Sequence, residues 1–572
     1  MKNTQKVIYT VLFIMSLLFA VNKVNAQPIS PHFFGQNAWM PDTIGNASAC
    51  TDPPCILYGK LHHEWANVKN SGASIIRFGG IAADKNMPTN YQYIRMIDSI
   101  RANGMEPVIQ VPFRNYRYNE QQAADIVKFI NVTSGKNIKY WIIGNEPDLG
   151  YSYNQASQIA AYIKPFASAM KNVDPSILIV GPECAWFNQG IITDLTTPNG
   201  PYDITGKDGN GHYYIDIISF HTYPFNGSQT RAQVISKLTS SGSLQDNLVY
   251  LNSRVSSCNT AHGRNGSSAL KTAITEANID WQNNAADNLY GVGASSFIGG
   301  QFWAEMMGIS MKNGVDFINF WSVAEGSNTA GNIGYIDAST NTKKPSYYHF
   351  QLMADNFKGN YVNGTTNQVN VKSFGSQNAQ QTAVLVLNED LTSNYNCTIR
   401  LNTTAIAGNS QLKINMNANI AAEFNEVIQS QSTVLFIFNS SGALIKKYEY
   451  SLNQNAVANI GPTYTQYNGT TGVEPIKSPA HEGTYFEIAK VFPNPNTGKF
   501  TVQLNKENTD ELKYVLEVFN IEGQLVYEKN DAPFVKGKQD IDLTFESIAA
   551  GVYIVRVRLG ENIKTTKIVV VK

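Results

Sequence analysis

The chain has 572 residues, only 15% of them charged, and its 44 lysines and arginines balance its 44 aspartates and glutamates. That length exceeds one ordinary hydrophobic core and predicts two to four domains. A net charge of zero argues against nucleic acid as a partner, because phosphate binding needs an electropositive face.

At the N-terminus Lys2 and Lys6 precede an almost wholly apolar run over 7–21, and Val24-Asn25-Ala26 follows as a small-residue cleavage site. The pattern predicts a secretory leader over 1–26, with the mature chain beginning at Gln27. No later stretch approaches ~18 consecutive apolar residues, so no integral span is expected once the leader is removed. Cys50 and Cys55 flank "TDPP" and can close a short disulfide in an oxidising compartment. Cys184, Cys258 and Cys397 are scattered, and no CxxC spacing offers a metal site.

Over 27–360, short apolar runs alternate with amphipathic stretches. The runs fall at 33–37, 74–78, 106–112, 138–144, 177–182, 215–222, 271–276 and 315–322. Between them "YQYIRMIDSIRANG", "QQAADIVKFINV" and "QIAAYIKPFASAMKNV" carry helical periodicity. Apolar strands separated by helices imply parallel pairing with right-handed crossovers, and eight such units predict a (β/α)8 TIM barrel. The rival open, doubly wound sheet lacks a GxGxxG after its first strand.

The pattern changes over 361–455, where "NQVNVKSF", "QTAVLVLNED" and "STVLFIFN" alternate between Gly/Asn/Ser turns and predict an all-β sandwich. All seven tryptophans precede this region, which marks the sandwich as support and not as the main binding platform. A Gly/Pro/Thr-rich linker is expected over 456–485, then a small Ig-like β unit over 486–572. Pro493-Asn494-Pro495 with Gly498, Gly551-Val552-Tyr553 and the basic-apolar Lys567-Ile568 close that unit. These residues resemble the C-terminal sorting domain of the type IX secretion system found in Bacteroidetes. The resemblance implies export to the medium or cell surface, with that machinery as a partner.

Active sites of (β/α)8 barrels lie at the C-terminal ends of the strands. The fourth run ends in Asn145-Glu146 and the seventh in Glu276, two carboxylates on opposite sides of the mouth. Paired carboxylates are what glycoside hydrolysis needs. Glu183 and Glu325 also follow strands and compete with Glu276.

"GNEP" at the fourth run and "TEA" at the seventh resemble the clan A glycoside hydrolases, a retaining superfamily of (β/α)8 barrels. The resemblance implies that Glu146 is the acid/base, Glu276 the nucleophile and Asn145 a donor to the sugar 2-hydroxyl. It implies further that Arg77 in "IIRFGG" keeps the nucleophile ionised. Tyr223 in "SFHTYPF" hydrogen-bonds the nucleophile, His221 holds the acid/base or the sugar, and Trp321 floors the sugar site. Phe113, Arg114, Trp39, Trp186 and Trp281 are candidate subsite residues in or near mouth loops. No cofactor or metal is expected, since "FFGQNAW" lacks the His-x-His of metal-dependent barrels. A non-catalytic glycan-binding barrel is the rival from another class.

The expected substrate is an extracellular polysaccharide, cut internally. Arg114 and Arg117, interleaved with Tyr116 and Tyr118, point to a sulfated algal galactan or fucan. Neutral plant glycans of the xylan or arabinan type are the alternative.

Overall fold

The computed structural model describes residues 27–38, 61–85, 87–113, 118–149, 155–282, 287–325, 333–337, 340–467, 486–506, 512–520, 524–534, 537–559 and 562–571. The expected leader and the Cys50–Cys55 loop lie outside these residues.

Eight parallel strands close into a barrel: β1 (Phe34–Asn37), β2 (Ile75–Phe78), β3 (Glu106–Val111), β4 (Tyr140–Ile143), β5 (Leu178–Cys184), β6 (Ile217–Thr222), β7 (Lys271–Ala277) and β8 (Phe317–Phe320). Each is an apolar run predicted from sequence, and β1 pairs with both β2 and β8 to complete the ring. Helices cross between them: α1 (Leu61–Asn70), α2 (Asn90–Ala102), α3 (Glu120–Val127), α4 (Ala156–Val173), α5 (Gln189–Leu195), α6 (Arg231–Lys237), α7 (Leu244–Ala261), α8 (Phe297–Lys312) and α9 (Pro345–Asn356). Their starts are encoded locally. Thr89 with Gln92, Asn119 with Gln122 and Thr230 with Gln233 form reciprocal capping boxes.

Strand alternation sorts the side chains. Ile75, Val108, Tyr140, Ile142, Val180, Ile217, Ala273 and Phe317 form their own cluster inside the barrel. Their neighbours Ile76, Ile109, Trp141, Ile179 and Ile218 belong to the outer core against the helices. Two residues beyond the interior set, the same inward face carries Arg77, Gln110, Ser219, Thr275 and Asn319, all fully buried. The barrel is therefore apolar at its base and polar near its mouth.

The β-sandwich follows directly. Strand Asn360–Thr366 begins it, pairing with Val371–Gln377 through its first half and with Leu412–Met416 through its second. This bent strand links two halves of one nine-strand order. Thr463–Gln466, inside the stretch expected as linker, is the last strand of that order, so the sandwich runs further than the turn-rich composition suggested. Its Thr and Tyr suit an edge strand as well as a loop.

Barrel and sandwich share one core, which extends from Phe320 and Phe350 to Leu385 and Leu435. Gln301 of α8 donates to Asn388 O (3.2 Å) and Ser432 O (3.1 Å), and His349 of α9 contacts Thr433 Oγ1 at 2.8 Å. Residues 473–572 belong to a second compact unit. It contains a three-stranded and a four-stranded antiparallel sheet around Val502, Leu504, Leu516, Val555 and Val557. Among the described residues Cys184, Cys258 and Cys397 are free and buried, and no helix is long and apolar enough to cross a membrane.

Between barrel and sandwich lie two buried acids, Glu305 of α8 and Glu389, whose carboxylate oxygens lack hydrogen-bond partners among the described residues. Burial raises Glu305 from 4.5 to about 7, against the pull of Lys372. An acid whose pKa rises on folding stabilises the fold when protonated, so its contribution is full below 4.5 and is lost as pH rises through about 7. Glu305→Gln keeps the protonated shape at every pH. Thermal melting should show the variant more stable than wild type at pH 8, with the difference shrinking towards pH 5; a lower melting temperature at pH 8 would contradict the assignment.

Candidate active site

The mouth cluster is organised around Arg77, whose side chain is wholly buried. Nη1 donates to Glu276 Oε1 (2.8 Å) and Asn37 Oδ1 (2.9 Å), while Nη2 donates to Asn145 Oδ1 (2.7 Å) and Glu183 Oε2 (2.9 Å). One guanidinium fork thus ties β1, β2, β5, β7 and the exit of β4 together. Because Arg77 holds Asn145 by its carbonyl oxygen, the Asn145 amide NH2 is without a partner among the described residues.

Three backbone irregularities deliver the acids. Glu146 has φ 48° and Glu183 φ 63°, left-handed conformations that cost a non-glycine residue about 1–3 kcal/mol. The Glu146 N–H donates to Glu183 O at 2.9 Å, so these two positions brace each other. On β7 the pairing register slips between Ile274 and Ala277. Regular alternation would send Thr275 and Glu276 to opposite faces, yet Thr275 Oγ1 donates to Glu183 Oε1 (2.6 Å) and Glu276 accepts from Arg77. The slip brings both inward.

His221, also fully buried, stands between carboxyls: Nδ1 lies 3.0 Å from Glu146 Oε1 and 3.5 Å from Glu276 Oε2, and Nε2 lies 3.3 Å from Glu183 Oε2. Tyr223 Oη donates to Glu276 Oε2 at 2.8 Å. Burial alone would lower the His221 pKa, but Glu276, Glu146 and Glu183 raise it to about 10. Glu183 moves the other way. Burial pushes it up, yet Arg77 and His221 together with Ser219 hold it at about 2. Glu276 is raised by burial, and the opposing pull of His221 and Arg77 does not cancel this. Arg77 does pull the Glu276 pKa down, as expected, but its charge is shared with Glu183 and burial outweighs it.

Glu146 and Glu276 face a cavity of about 580 Å³, with Tyr223, Trp186, Trp281 and Trp321 also in its walls. Trp186 and Trp281 are 46% and 58% exposed, unusual for so large an apolar ring. Glu183 is enclosed by donors and absent from the cavity lining, which separates it from Glu276. Phe113, considered as a subsite residue, is instead buried with its ring stacked on Tyr162 at 3.7 Å. Arg114, Trp39 and the Glu325 side chain lie outside the described residues. Six of the expected site residues, Arg77, Asn145, Glu146, His221, Tyr223 and Glu276, form one hydrogen-bonded group, and Trp321 lines the same cavity.

A metal reading has a geometric basis, since ligand atoms of Glu146, His221 and Glu276 lie within 4.8 Å of one another. Both ring nitrogens of His221 already face carboxyls, Nδ1 Glu146 and Nε2 Glu183, so a cation here would have to displace one of these contacts.

The barrel–sandwich fold resembles that of glycosidases. The alpha-L-arabinofuranosidase of Thermotoga maritima superposes with a TM-score of 0.51 at 15% identity, over 74% of this chain and 97% of that one. A family 51 alpha-L-arabinofuranosidase from Bifidobacterium longum, AbfB, gives 0.51 and 15% over 73% and 98%. No curated protein sequence matches the chain. Residues 490–572 match the secretion system C-terminal sorting domain. That tail marks the chain for secretion or cell-surface attachment through the type IX machinery.

Removing Arg77 leaves Glu183 and Glu276 buried without their shared cation. Arg77→Ala should lower unfolding free energy by about 3–5 kcal/mol in urea titration; a loss below ~1 kcal/mol would show that the cluster rearranges freely. The His221 pKa, raised from 6.5 to about 10, stabilises the fold fully below 6.5 and loses that contribution as pH rises through about 10. Melting temperatures should therefore fall across that alkaline window, and less steeply in His221→Gln.

Proposed function

We propose that the chain is a secreted retaining glycoside hydrolase acting on a neutral polysaccharide of the arabinan or xylan type. One observation carries the reading: carboxyl oxygens of Glu146 and Glu276 lie no more than 4.8 Å apart. That closeness is compatible with the carboxyl separation of about 5–5.5 Å that double displacement uses.

Glu276 attacks the anomeric carbon while Glu146 protonates the departing glycosidic oxygen. Glu146 then takes a proton from the water that hydrolyses the glycosyl-enzyme. Arg77 and Tyr223 each donate to one oxygen of Glu276, which fixes its plane and favours its ionised form. His221 orients the Glu146 carboxyl, the free NH2 of Asn145 meets the sugar 2-hydroxyl, and Trp321 supplies the apolar floor.

A neutral substrate is supported by the cavity lining, which among the described residues includes neither Lys nor Arg. The two solved structures named above act on arabinofuranosides, which points the same way. The sulfated-glycan reading has Arg114 and Arg117 of the sequence in its favour.

Incubation with arabinan, xylan and carrageenan, with the products sized, distinguishes these substrates; release of monosaccharides alone would exclude internal cutting. Proton NMR of the first product should show the retained anomer, and an inverted one would sink the mechanism. Glu146→Gln should reduce kcat by about 10²–10⁴. Glu276→Gln should abolish turnover while leaving glycan binding intact, and undiminished hydrolysis in either variant would remove the assignment.

A further inference from the structure

Beyond Trp281 lies a second cavity of about 420 Å³, and Tyr223 and Trp281 line both spaces. Its wall is an extension of the barrel sheet. The segment after β6 pairs with the segment after β7, with Phe225 N–H donating to Ile279 O (3.2 Å) and Trp281 N–H to Phe225 O (3.3 Å). The indole of Trp281 is thereby held by main-chain bonds at the junction of the two cavities.

Gln229 lines the second cavity and is only 8% exposed. Its Nε2 donates to Asp280 Oδ2 (2.8 Å) and Val292 O (2.9 Å), which fixes the amide, yet Oε1 has no partner among the described residues. Oε1 is sealed from the cavity, so Gln229 serves to brace the wall through Asp280 and Val292. Lys237, on α6, lines the same space, half-buried, with its ammonium 5.7 Å from the Phe225 ring and no ion pair among the described residues. No carboxylate lines this cavity, in contrast to the first. An ammonium without an ion pair among the described residues, beside an exposed aromatic plate, matches a sugar ring, with its hydroxyls at the edge and its C–H face apolar.

We propose that this cavity is a subsite for a further glycosyl unit of the same glycan whose bond is cut between Glu146 and Glu276. The sugar packs against Trp281, and a hydroxyl accepts from Lys237 Nζ. The proposal rests on the glycosidase reading and extends it: the site is a cleft for consecutive sugars, suited to cutting within chains.

Isothermal titration of the full chain carrying Glu276→Gln, with xylohexaose and arabinohexaose and the matching disaccharides, reads the subsite without turnover. Adding Trp281→Ala or Lys237→Ala should reduce the ratio of hexaose to disaccharide affinity about tenfold. Lys237→Ala, which lines only the second cavity, keeps the test decisive if Trp281→Ala also weakens disaccharide binding. A ratio unmoved by both substitutions, or no binding of either hexaose, overturns the proposal. Hydrolysis by the wild-type chain is measured separately: its absence removes the hydrolase reading, whereas a ratio that still falls keeps the subsite.

Discussion

The site depends on one buried cation. Arg77 brings a full charge into the barrel, where it is held only by close acceptors, since transfer of an ion out of water costs several kcal/mol. Glu183, Glu276, Asn145 and Asn37 supply those acceptors from four other strands or strand exits. Satisfying the guanidinium therefore assembles the mouth. His221 adds a second cation, and the five ionisable groups comprise two positive charges and three carboxyls. Electrical balance is reached when one of those carboxyls keeps its proton. Glu183, held at about 2 by Arg77 and His221, stays ionised. One ionised and one protonated acid is the state that the first step of double displacement requires.

That balance holds only if the acids reach positions which regular strands do not offer. Alternation would give β7 one inward residue where the cluster needs both Thr275 and Glu276, and a smooth exit from β4 would not turn Glu146 through positive φ. Each irregularity is anchored to its neighbour: Glu146 N–H bonds Glu183 O, and Ser219 bonds both the Glu183 N–H and its carboxyl. Among the described residues Glu146 and Glu183 are the two acids held at positive φ, and both lie where the polar groups meet, as expected where local preference yields to a functional arrangement.

This division explains what could be read from the residues beforehand. The eight strands were legible because each is an apolar run bounded by turn residues, and Arg77, Glu146 and Glu276 because strand exits at a barrel mouth are few. Glu183 looked like a rival to Glu276, since its enclosure by Arg77, His221, Ser219 and Thr275 comes from three different strands and leaves no local signal. Phe113 misled for the opposite reason: an aromatic after a strand reads as a mouth residue, whereas its stacking on Tyr162 of α4 is a tertiary fact. The late end of the sandwich at Thr463–Gln466 was hidden because an edge strand needs no hydrophobic run.

The same electrostatics bear on what the cleft can hold. Both buried cations are consumed by carboxyls beneath the cavity floor, so neither has charge to spare for an anionic ligand. Above that floor the described walls of the main cavity add Trp186, Trp281 and Trp321 but no Lys or Arg. A sulfated sugar placed there would face Glu146 and Glu276 with no cation from those walls to offset the repulsion, a cost of the kind that rejects wrong ligands. A neutral sugar meets no such penalty and gains ring contacts with three indoles. On the proposed hydrolase reading, the described walls therefore suit an uncharged glycan better than a sulfated one.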